Sequence, residues 1–178
     1  MKTKTVSMNT YYWSTDTFDC PYDFIKELFD FEDIKSFKNE ITYYFLYSKK
    51  EEVYSKRNAS SVMFNCAILL STLKACYNIY LEPEEFKKRK LIKSAVFYED
   101  YCLSTLSREE YINPFLVFKK VFDEIGLNNL EASLFDTISY AMGDSYIDCI
   151  SEKDIQIITY NKLLEACWLI NERLKEKE

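Results

Sequence analysis

The sequence predicts an all-α fold, a compact bundle of six to eight helices, and three observations carry that expectation. Only two glycines and three prolines occur in 178 residues, too few for the tight turns of a hairpin-rich sheet. Apolar residues recur at helical spacing through most of the chain, and each such run is bounded by residues suited to helix ends. Fifteen Tyr and thirteen Phe supply large side chains for one core, and a chain this long removes about 70% of its unfolded surface from water.

Residues 1–18, "MKTKTVSMNTYYWSTDTF", read as an extended or flexible arm whose adhesive part is Tyr11, Tyr12 and Trp13. Asp19 is expected to cap a helix with Pro21 in its first turn and Phe24, Ile25, Leu28 and Phe29 on one face. A second helix is expected from Asp33 to Ser48, striped by Ile34, Phe37, Ile41 and Phe45. The charged run "SKKEEVYSKRN" reads as a solvated link. The stretch Ser60–Leu81 follows, capped by Ser60 or Ser61 and stopped by Pro83, and its apolar residues leave only a strip roughly 60° wide for Ser60, Ala67, Ser71, Lys74 and Asn78. A lipid span of that length would not carry Lys74, Asn65 and Asn78 without polar partners. It is therefore expected to be a central helix, with Lys74 marking where its polar strip reaches water.

Another helix is expected from Pro83 to Leu106, with Glu84 and Glu85 at its positive end. Ser107 and Glu110 have capping-box spacing. A helix opened by Pro114 and closed by Gly126 places Phe115, Phe118, Phe122 and Ile125 on one face. The next, from Asn129 to Met142, turns Leu130, Leu134, Ile138 and Ala141 inward and stops at Gly143. The last, Ser151 to Lys175, is expected to be buried over Leu163 to Ile170.

Displacing the sequence by 93 positions lays Pro21, Lys26, Phe29, Asp30 and Tyr47 on Pro114, Lys119, Phe122, Asp123 and Tyr140. At 91 positions "LKACYNI" from Leu73 meets "LEACWLI" from Leu164. Two readings follow. Either residues 19–82 and 112–176 are duplicate three-helix halves of a single domain 19–178, joined by a connector over 83–111, or amphipathic helices share their stripe by chance. The second accounts for the stripe but not for the shared LxACxxI.

The net charge of −6 weakens any general attraction to polyanions or anionic lipid. Without histidine, Ser-His-Asp triads, Cys-His dyads and histidine metal sites are excluded. The six cysteines form no CxxC pair. Cys66 and Cys76 lie roughly 15 Å apart along one helix, so reduced, mostly buried thiols are expected. The polar start has no cleavable-leader pattern, and the chain is expected to be cytoplasmic, which leaves the Asn58-Ala59-Ser60 triplet without glycosylation.

Candidate binding residues are Lys87, Lys88, Arg89, Lys90 and Lys93, near Phe86, Phe97, Tyr98 and Tyr101. Cations grip phosphates while rings stack on bases, yet Glu84 to Lys88 and Glu85 to Arg89 are also ordinary surface pairs. Glu27 with Asp30, and Glu82 with Glu85, have the spacing of carboxylates that hold Mg²⁺ beside phosphates. Asp144, Asp148, Glu152 and Asp154 form an acidic run that reads as a solvated linker. No catalytic residue, metal ligand or cofactor is expected. The first functional expectation is a non-enzymatic interaction or regulatory module with a protein partner and no membrane. The alternatives are a nucleic-acid-binding accessory protein using residues 87–93 and a metal-dependent nucleotide hydrolase.

Overall fold

The computed structural model describes residues 5–50, 52–93, 103–143 and 157–177, which form eight α-helices and no strand among the described residues. They are α1 (Pro21–Phe31), α2 (Ile34–Tyr47), α3 (Ala59–Leu81), α4 (Pro83–Lys88), α5 (Arg108–Ile112), α6 (Phe115–Glu124), α7 (Leu127–Met142) and α8 (Ile157–Lys175). The predicted all-α bundle is what the chain forms.

Helix ends follow local chemistry. Asp33 caps α2 by accepting from the backbone N–H groups of Lys35 at 2.7 Å and Ser36 at 3.0 Å, and Ser107 with Glu110 closes the capping box of α5. Gly126 enters α7 at φ 79°, a conformation that side chains with a Cβ avoid. Three expectations are corrected. Cys20, not Asp19, precedes α1, and its side chain makes no cap bond. Asn58, not Ser60 or Ser61, caps α3 by accepting from Ser61 N–H at 2.8 Å. The helix expected over Pro83 to Leu106 stops at Lys88, because Lys90 takes a left-handed φ of 52°. Residues 94–102 and 144–156, with Phe97, Tyr98, Tyr101, Cys102, Cys149 and the acidic run, lie outside the described residues.

α3 is long and apolar enough to cross a bilayer by length and composition, but half of its most apolar window is buried inside the protein. α1, α6, α7 and α8 pack around it, and Ile68, Ala75, Cys76 and Ile79 are at most 1% exposed. Burying such side chains is worth about 1.5–3 kcal/mol for each large one. The polar strip of α3 is exposed at Ser60 but covered at Ser71 and Asn78. The arm lies on it: Asn78 accepts from Val6 N–H at 2.8 Å and donates to Val6 C=O at 2.7 Å, and Trp13 Nε1 donates to Ser71 Oγ at 3.1 Å. Lys74 keeps 17% side-chain exposure and pairs with Glu131 of α7 at 3.5 Å.

The packing pattern is unchanged when α1, α2 and α3 are exchanged with α6, α7 and α8. α1 packs on α8 as α6 packs on α3, α2 on α8 as α7 on α3, and α1 on α3 as α6 on α8, while α2 meets α7 and α3 meets α8. Even the short turn over Thr10–Tyr12 touches α3 as α5 touches α8. At the α3–α8 crossing, Cys76 Sγ lies 3.2 Å from Cys167 Sγ.

Candidate functional site

The sequence-predicted basic residues come out largely neutralised. Lys87 pairs with Glu84 at 2.6 Å, Lys88 approaches Glu85 at 4.0 Å, Arg89 lies 3.3 Å from Glu85, and Lys93 pairs with Glu176 of the α8 tail. The Arg89 guanidinium also stacks on Tyr22, 4.0 Å from the ring centre. Lys177 joins this group and donates to the C=O groups of Arg89 and Lys90. Its ammonium is held below the usual lysine range by burial and by the charges of Lys90, Lys93 and Arg89. Phe86, expected beside these cations for stacking, is 1% exposed and packs on Phe115 at 5.3 Å.

Each of the paired carboxylates faces solvent or a cation. Glu27 is exposed on α1, Asp30 faces Lys175 at 3.6 Å, Glu82 sits at the α3–α4 junction, and Glu85 is shared between Lys88 and Arg89. Among the described residues no group of three or more Cys, Asp or Glu side chains is placed to hold a metal ion.

A different place in the fold gathers polar groups into a cleft. The α1–α2 corner and the start of α3 enclose about 380 Å³, lined by Phe31, Phe37 and Phe64, the acids Glu32 and Glu40, Arg57, Asn65 and the hydroxyls of Ser36, Ser60 and Ser61. Glu40 lies on the buried face of α2 between Phe37 and Tyr44 and is 9% exposed. A carboxylate there requires partners, and it has them. Arg57 Nε donates to Oε1 at 2.7 Å, while Tyr54 OH and Asn65 Nδ2 donate to Oε2 at 3.1 Å and 3.4 Å. Asn65 Nδ2 also reaches Tyr44 OH at 3.3 Å.

Electrostatically the back of the cleft is a closed pair. Glu40 raises the pKa of Arg57, which stays charged. Burial, then the Glu40 charge, pushes the Tyr54 phenol up to about 12, and burial raises Tyr44 as well. Both phenols therefore remain neutral, Tyr54 donating to Glu40 and Tyr44 accepting from Asn65. Tyr54, only 2% exposed, anchors the link that read as solvated: its ring meets Tyr44 and Tyr47 edge-on at 5.3 Å, and its N–H donates to Ala141 C=O of α7 at 2.7 Å.

The mouth differs from the back. Glu32 is half-buried there, its carboxylate accepting a hydrogen bond from the neighbouring Asp33 N–H at 3.3 Å and making no ion pair among the described residues. Phe31 is 49% exposed and lies 5.7 Å from Phe64 and 6.5 Å from Trp13 of the arm. The mouth thus offers one uncompensated negative charge beside a row of aromatic faces. Sequence reasoning missed Glu40, Tyr54, Arg57 and Asn65. The available signal was a carboxylate interrupting the apolar stripe of α2 and an aromatic inside a charged link. Comparison with protein-family models, with curated proteins and with solved structures found no match for this chain.

Proposed function

We propose that this chain is a cytosolic, non-enzymatic interaction module that takes a segment of a partner protein into the α1–α2 cleft, anchored by a Lys or Arg side chain. One observation carries the reading: Arg57 is matched by Glu40, so the charge left to meet a ligand is Glu32, set beside Phe31 and Phe64. A lysine or arginine fits that combination, laying its apolar stem along aromatic rings while its head meets both the ring faces and a carboxylate. The net charge of −6 supports the choice, since it attracts a basic partner over distance. The pairing of Lys87, Lys88, Arg89 and Lys93 with carboxylates lowers the charge a nucleic-acid backbone would meet, which favours a protein partner.

A positional-scanning library of short peptides, read by fluorescence polarisation, tests the assignment. The wild-type chain is expected to select Lys or Arg at one position. Glu32→Lys is expected to abolish that selection, and Phe64→Ala to weaken binding about tenfold, equivalent to about 1.4 kcal/mol. Selection at no position, or selection that persists in Glu32→Lys, defeats the reading.

A further inference from the structure

The third helices of the two packing sets, α3 and α8, meet at a pair of thiols that neither the cleft nor the surface uses. Cys76 and Cys167 are both 0% exposed, their sulfurs stand 3.2 Å apart, and 91 residues separate them in the chain. Two further described thiols offer a comparison: Cys20 is half-buried beside Arg89 Nη2 at 3.7 Å, and Cys66 is buried on α3. Among the described cysteines only Cys76 and Cys167 lie within reach of each other.

We infer that Cys76 and Cys167 are an oxidative modification site, a latent covalent clasp that joins α3 to α8 when the chain meets a low-molecular-weight disulfide. Both side chains already point at each other across a packed helix crossing, so forming the bond requires each sulfur to move by only about half an ångström from van der Waals contact to bonding distance. The chemistry is a two-step exchange. One cysteine loses its proton and attacks the small disulfide, giving a mixed disulfide and releasing one small thiol. The second cysteine loses its proton and attacks the protein sulfur of that mixed disulfide, forming the Cys76–Cys167 bond and releasing a second small thiol. Two protein thiols are oxidised by two electrons, and the small disulfide is reduced to two thiols.

Burial sets the conditions under which this happens. It holds the Cys76 thiol well above its usual pKa, reinforced by the hydrogen bond to Cys167, so the attacking thiolate is scarce in the closed fold. Exchange therefore proceeds through transient opening of the α3–α8 crossing, and the clasp forms slowly but, once formed, is shielded from reduction. Half-buried Cys20 has no such gate and reacts sooner.

The experiment incubates the folded full-length chain in glutathione buffers of increasing oxidised fraction, quenches in acid, alkylates in denaturant, and follows intact mass and peptide maps, with circular dichroism confirming that the fold persists. The expected product carries two alkyl groups fewer than the fully reduced chain, with peptides bearing Cys76 and Cys167 joined, and Cys20 carries glutathione at earlier times. Cys76→Ala is expected to remove the cross-link, leaving Cys167 free. The wild-type map decides the matter even if that variant folds poorly. Maps in which Cys76 and Cys167 remain alkylated at the oxidising end, or in which either is joined to another cysteine, overturn the inference.

Discussion

α3 is strapped by residues 5–18 through neutral groups, the Asn78–Val6 exchange and the Trp13–Ser71 bond. α8 is held by the segment over 103–112 through charges. Glu165 accepts from Thr105 N–H and Oγ1 at 2.9 Å and 2.7 Å, and from Lys38 Nζ at 2.5 Å. Lys162 binds both oxygens of Glu110, and Arg173 donates to the C=O groups of Leu91, Tyr111 and Ile112. Between these straps the ion pairs correspond with their signs reversed: Lys38 of α2 meets Glu165 of α8, and Glu131 of α7 meets Lys74 of α3. The same packing thus tolerates either polarity in the links, which implies that the apolar stripes fix the arrangement and the polar groups only finish it.

Four measurements press on that comparison. The largest effect is alkaline. Tyr54 and Tyr160 are pushed up to about 12 by burial, and Tyr22 and Tyr44 are raised as well. The folded chain therefore holds protons that the unfolded chain releases near pH 10. The associated stability is complete below about pH 10 and is lost as pH rises toward 12 and beyond. Urea midpoints should fall across that window together with the rise of tyrosinate absorbance. Because three of the four tyrosines lie on α1, α2 or the link to α3, amides there should lose exchange protection before those of α7.

Next in size is Glu165→Ala, which removes a carboxylate with 0% side-chain exposure that accepts from Lys38 and leaves two Thr105 donors without their acceptor. The expected cost is about 2–3 kcal/mol in chemical denaturation. Reversing the pair with Lys38→Glu and Glu165→Lys should not restore stability, since lysine accepts nothing from Thr105. Reversing Lys74 and Glu131 at the more open pair should leave stability within about 0.5 kcal/mol of the parent. Equal responses at the two pairs would mean that the strap, not the ion pair, is interchangeable.

Asn78→Ala should cost about 1–2 kcal/mol by leaving half-buried strap groups unpaired, with Val6 amide exchange accelerating while the α8 amides stay protected. The smallest effect, about 1 kcal/mol, belongs to Asp33→Ala, which removes the α2 cap and should appear as a small fall in the thermal midpoint.

Much of the fold was legible because helix stripes and end residues act locally. The burial of Leu130, Leu134, Ile138 and Ala141 follows from spacing alone. What was not legible depended on contacts distant in sequence. The helix from Pro83 stops at Lys88 although the residues beyond it remain compatible with a helix, because Arg173 of α8 and Lys177 just after it capture the carbonyls of Leu91, Arg89 and Lys90 that a continuing helix would use. The polar strip of α3 gave no hint of whether water or the arm would cover it. The cleft was hidden for the same reason: Glu40, Arg57 and Asn65 belong to three segments whose meeting no local pattern announces.

Gly126 joins α6 to α7 at φ 79°, and a Cβ built there would meet nothing within 4 Å. Space is thus no obstacle at that corner, and handedness is. Alanine at position 126 should therefore weaken the fold through backbone strain alone, by about 1–3 kcal/mol. The α6–α7 corner is thereby a place where stereochemistry alone tunes stability.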